Sequence, residues 1–367
     1  MSEKRGGVCF LLMVIASIAG SFAIGLAGFF YPWLYNLVPS SVISELLLLL
    51  PAVIMALLTP AGVSEMFALR RMPFKQGLLS AALIAAAFPV AVFCNSISTM
   101  FVDNTVLAMS DSILSEPFPV MVALIGVFGP LCEELCFRGY IFQNLKSGGK
   151  TAAAAVVSGI LFGLIHMNLN QALYGVALGT IMAFAVAATG SLWSSIIMHV
   201  LLNSLEVAGM YLADYAKSLA DTVPAIQEMM EAEQSEITAM DICIYGVIAL
   251  IGITFCVLII RKMRSVRMEA AKEVDGEEEG FLTESLRERE EDPFYGSAQE
   301  EEDNSYAHVL PDDPQHMLRG DAITEAEFPS EGSLQDEKGS TGKIFSVPLI
   351  IGAVITIGYI AVIELLL

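Results

Sequence analysis

Nine runs of this chain are apolar over about the length a helix needs to cross a bilayer, roughly 20 residues. They cover 8–31, 42–58, 77–100, 117–145, 151–167, 171–189, 191–208, 240–260 and 344–364. Hydrocarbon offers backbone polar groups no partner, so segments of this kind satisfy them internally as helices. The expected fold is all-α: a polytopic transmembrane helical bundle with an eight-span core and a ninth, C-terminal span. The 367 residues are 55% hydrophobic and only 16% charged, against about 25% charged in soluble domains. The first run ends in FFYPW, an aromatic interface anchor rather than a small-residue cleavage site. It is therefore read as a span and not as a signal peptide.

The formal net charge of −21 is local. Residues 268–343 carry 23 acidic and 6 basic side chains, which is −17 and leaves −4 for the rest. GEEEG and REREED cannot bury a core, so this segment is expected to be a disordered, acidic, cytoplasmic tail. No basic surface exists to neutralise phosphates, which excludes nucleic acid as a partner. Outside the tail, Lys and Arg gather at Lys4/Arg5, Arg70/Arg71/Lys75, Lys146/Lys150 and Arg261–Arg267. Placing the N-terminus in the cytoplasm puts each of these clusters on that side. The expected organisation is N-terminal helices over 1–76, a core over 77–208 and an outer loop with the eighth span over 209–267. The tail over 268–343 and the last helix over 344–367 complete it. The six cysteines form no CxxC pair and read as small buried apolar residues.

Ionisable groups inside spans are costly and mark function by default. Glu133, Glu134 and Arg138 lie in PLCEELCFRGYIF, His166 in SGILFGLIHMN, and His199 and Asn203 in SSIIMHVLLNSLE. At about 1.5 Å per residue, Glu133 lies roughly 18 Å from the inner end of its helix, while His199 and His166 lie roughly 12 Å and 22 Å from the starts of theirs. All three are expected to meet near mid-membrane. Glu134 and Arg138 are four apart and share a face, so they pair. Glu133 points about 100° away, the rotation per residue of an α-helix, and has no such cation. It is the candidate base that takes a proton from water. His199 and Asn203 also share a face and suit the stabilisation of a carbonyl oxygen as it becomes negative. Phe162 lies one turn before His166 and is expected to wall the cavity. No HExxH helix is present, so that zinc-protease arrangement is absent.

EELCFRGYIF, FGLIH and HVLLN match the signatures EExxxR, FxxxH and HxxxN in order. The chain thus resembles the CPBP family: type II CAAX prenyl proteases, bacteriocin-processing enzymes and Abi proteins. The likeness covers about residues 77–208. It implies an intramembrane endopeptidase that cleaves a membrane-associated or lipidated peptide or protein in a bacterial plasma membrane. Glu133 would activate water, His166 orient it, Glu134 and Arg138 support them, and His199 and Asn203 polarise the scissile carbonyl. The family has also been treated as metallopeptidases. In that version Glu133, His166 and His199 would ligate a divalent ion such as zinc, an acceptable set for a catalytic site. The sequence leaves the metal-bound and metal-free versions both open.

Three other functions compete. A non-catalytic immunity or scaffold protein would keep the same motifs. A proton-coupled transporter also uses buried Glu and His, but no internal repeat of the usual transporter kind is evident. A cysteine peptidase built on Cys132 or Cys136 would leave the two glutamates unexplained.

Overall fold

The computed structural model describes residues 3–59, 62–147, 149–220, 223, 238–291 and 345–366. Among the described residues, nine main helices follow in order: α1 Glu3–Phe30, α2 Leu37–Leu57, α3 Phe74–Ser98, α4 Phe118–Lys146, α5 Thr151–Ile165, α6 Leu169–Thr189, α7 Trp193–Ala220, α8 Ala239–Glu291 and α9 Val347–Leu366. No strand occurs among the described residues. The protein is an all-α, polytopic helical membrane protein. Among the described residues, seven helices are long and apolar enough to cross a membrane, while α5 and α9 have shorter apolar stretches. At 15 residues, α5 spans about 22 Å, less than the roughly 30 Å of hydrocarbon.

Three features depart from expectation. The tail was expected to be disordered from residue 268, yet α8 stays helical to Glu291. A pre-formed span removes the nucleation cost, and Glu, Ala, Lys, Leu and Arg then propagate the helix. Residues 292–344 lie outside the described residues, so the expectation for them stands untouched. The loop after α3 holds two short helices, Thr105–Ala108 and Ser110–Leu114. The fourth span is also no uniform α-helix. Val122–Phe128 and Leu135–Ile141 are π-helical, and the α-helical Gly129–Glu134 lies between them.

Packing follows the small residues. Helix α5 lies on α6, α8 on α3, α1 on both α2 and α9, and α7 on the first π segment of α4. At the α5–α6 contact, Gly159 and Gly163 face Gly175 and Gly179. A Cβ on Gly163 would come within 2.5 Å of the Ala172 carbonyl oxygen, and one on Gly175 within 3.1 Å of Gly163 Cα. In lipid no hydrophobic force drives helices together. Close backbone approach through small residues supplies the association instead.

Candidate active site

Pro130 shapes the segment that carries the glutamates. It has no N–H, so neither the carbonyl four residues earlier, Gly126, nor the one five earlier, Ile125, gets its helical partner from position 130. The Gly129 N–H goes to Leu124 in π register. Helix α7 supplies the missing donors. Asn203 Nδ2 donates to the Ile125 oxygen at 3.2 Å, and Ser204 Oγ to the Gly126 oxygen at 3.4 Å. Asn203 was expected to face a substrate carbonyl. One of its amide hydrogens holds α4 against α7.

One turn on, Glu134 and Arg138 are both fully buried. Arg138 Nη1 donates to Glu134 Oε1 at 2.7 Å. His199 Nδ1 donates to the same oxygen at 2.9 Å. The guanidinium also lies over the Phe162 ring, 4.1 Å from its centroid, a favourable cation–π arrangement. A Cβ on Gly179 would reach within 3.0 Å of both Arg138 Nη2 and the Phe162 ring. The glycine interface of α5 and α6 therefore also makes room for the cation. Phe162 does more than line a wall. Its ring meets His166 edge-on at 5.0 Å and His199 at 5.6 Å.

Glu133 faces elsewhere, as its offset from Glu134 requires. Its side chain is 16% exposed, and Oε2 lies 3.6 Å from His199 Nε2. That is longer than a direct hydrogen bond. His199 therefore stands between the two glutamates, Nδ1 bound to one and Nε2 turned to the other. His166 closes α5 as its C-cap. Its Nδ1 lies 2.8 Å from the Phe162 carbonyl oxygen, which only accepts. The hydrogen-bond network thus assigns the proton to Nδ1 and leaves the Nε2 lone pair free in the neutral ring.

Metal binding needs its own test. Both imidazoles have Nδ1 tied to an oxygen, which is how a metal-ligating histidine is usually oriented. Among the described residues, however, no three His, Cys, Asp or Glu side chains are placed to hold a metal ion. As placed, these side chains do not form a ligand set for one.

Two carboxylates near the site escaped the sequence reading. Glu45 of α2 puts Oε1 3.7 Å from where a Cβ on Gly129 would stand. Its Oε2 is buried and has no hydrogen-bond partner among the described residues. It lies close enough to Glu133 for their charges to interact. Glu206 of α7, seven residues after His199, interacts with that histidine and with Tyr174. The signal for Glu45 was available: an acid inside the apolar run SVISELLLLL.

The structure thus has a buried carboxylate–histidine site on three membrane helices, with an ion pair fixing its inner side. Part of the chain is similar to known membrane proteins. Residues 115–205, the segment holding Glu133, His166 and His199, match the family model for the type II CAAX prenyl endopeptidases, Rce1-like. Two bacterial relatives match part of the chain. YdiL of Bacillus subtilis, named a membrane peptidase, is 33% identical over 92 residues, 25% of this chain and 38% of the relative. MroQ of Staphylococcus aureus, named a membrane-embedded CAAX protease, is 31% identical over 101 residues, 26% of this chain and 41% of the relative. The chain thus spans about two fifths of the length of these curated relatives. No solved structure matches it.

Proposed function

We propose that the protein is an intramembrane endopeptidase that hydrolyses a peptide bond of a membrane-associated or lipidated substrate with water activated by Glu133. The carrying observation is the division of labour between the glutamates. Glu134 is occupied by Arg138 and His199. Glu133 is partly exposed, and the far nitrogen of His199 lies 3.6 Å from it.

The charges support this reading. Glu133, Glu134 and Arg138 together carry two negative charges and one positive. One extra proton makes the buried group neutral, and either Glu133 or His199 can hold it. Water bound near Glu133 and the free Nε2 of His166 gives its proton to Glu133 as its oxygen bonds to the scissile carbonyl carbon. With its Nε2 protonated, His199 donates to the developing oxyanion, and Glu134 stabilises that imidazolium. The C–N bond then breaks, and the proton held by Glu133 passes to the leaving amine. The second amide hydrogen of Asn203 is the further donor available to the oxyanion.

The Rce1-like match over 115–205 and the membrane peptidase and CAAX protease relatives support the reaction class. The basic clusters favour a cytoplasmic N-terminus in a bacterial plasma membrane.

The test uses the full chain in proteoliposomes with a lipidated, quenched-fluorescence peptide, and Glu133→Gln as a trap for native substrates. Removing a general base costs typically 10²–10⁴-fold, so Glu133→Gln is expected to lose about that much rate while its unfolding temperature holds. Hydrolysis that survives the change sinks the reading. Activity is also expected to persist in a strong chelator, and loss that zinc alone restores would favour the metal-bound version.

A further inference from the structure

His166 ends its helix at a strained turn. The next residue, Met167, has φ of 54°, a left-handed conformation that a non-glycine residue adopts only at a cost. Something must hold the chain there, and Asn168 uses both polar atoms of its side chain to do so. Its Nδ2 donates to the His166 carbonyl oxygen at 3.0 Å and to Gln171 Oε1 at 2.9 Å. Its Oδ1 accepts the Gln171 N–H at 2.8 Å, capping α6, and the Thr105 hydroxyl at 3.3 Å. One side chain thus ties the end of α5, the start of α6 and the outer helix at Thr105. Asn170, 1% exposed, pins the same turn to the end of α3 through Asn95 at 3.0 Å and Ser98 at 3.1 Å.

We propose that Asn168 is a positioning residue: its bond to the His166 backbone and its cap on α6 set the direction in which the His166 imidazole presents Nε2. It touches no reacting atom. If the turn relaxes, Met167 leaves its strained conformation, the ring rotates, and the bond from Nδ1 to the Phe162 carbonyl opens. The importance of His166 rests on the function proposed above, whereas its dependence on Asn168 does not.

Magnetic resonance of the full chain in nanodiscs, with isotope-labelled histidine, tests this without a substrate. His166 and His199 signals are assigned by loss in His166→Gln and His199→Gln. The native His166 is expected to show one protonated and one bare ring nitrogen. Asn168→Ser keeps a side-chain oxygen that can cap α6 but loses the amide. It is expected to draw the two His166 nitrogen shifts together towards an averaged pair and leave His199 unmoved. Thr105→Val, which removes one bond to Asn168 Oδ1, is expected to do the same to a smaller degree. An unchanged His166 in Asn168→Ser overturns the proposal. So does a change shared equally by His166 and His199, which would mark general loosening. If His166→Gln retains peptide hydrolysis, the functional reading fails while the ring result stands.

Discussion

At the scale of single residues, the costliest groups are Glu134 and Arg138. Both are fully buried, and removing one partner of such a pair typically costs 3–5 kcal/mol, because the other charge stays buried and alone. Arg138→Met is therefore expected to lower unfolding stability in detergent by about that amount. Arg138→Lys is not expected to rescue it, since an ammonium cannot both pair with Glu134 and lie flat over Phe162. The double variant Glu134→Gln/Arg138→Met is expected to recover much of the loss. Thermal unfolding of these proteins and of Glu134→Gln alone checks this, and additive losses would disprove the pairing. This contact was legible in the sequence because a spacing of four places two side chains on one helix face. The placement of His199 between both glutamates was not, because it depends on how α7 crosses α4. Glu45 was legible in principle: the rule that flags an acid in an apolar run applies to it as it does to Glu133.

At the scale of elements, the fourth span shows what a helical repeat conceals. Apolar length marked 117–145 as one span, which agrees with Phe118–Lys146. Length cannot report π segments, whose formation depends on where donors and acceptors find partners. Pro130 was visible, but the donors that replace its missing N–H come from α7, 73 and 74 positions on. This linkage predicts a coupling. Asn203→Leu leaves the Ile125 carbonyl buried without its donor, at a cost of about 1–3 kcal/mol. Pro130→Ala restores a backbone N–H at that point. In its background Asn203→Leu is expected to cost clearly less, a non-additivity measurable by unfolding the four members of the cycle. Equal costs in both backgrounds would mean that Asn203 does not compensate for Pro130.

At the scale of the whole molecule, the bundle is organised around α4, α5 and α7, which hold the site, while α9 packs mainly on α1 and more lightly on α5. The apolar run at 344–364 marked a final span, but its partner was hidden, since nothing in a uniformly apolar helix says which neighbour it will choose. The structure seats α9 on α1. A Cβ on Gly352 would meet the Phe10 ring at 2.9 Å, and one on Gly7 would meet Leu349 Cβ at 2.9 Å. The contact buries Phe10 fully and leaves Leu349 3% exposed. In a bilayer, lipid replaces α9 if it is removed, so the loss is one of packing rather than of hydrophobic burial. The site residues all lie on other helices. A chain ending at residue 344 is therefore expected to unfold at a temperature lower by a few degrees and to keep its rate of peptide hydrolysis. If that chain loses hydrolysis while its unfolding temperature holds, α9 takes part in substrate handling and is not simply a brace on α1.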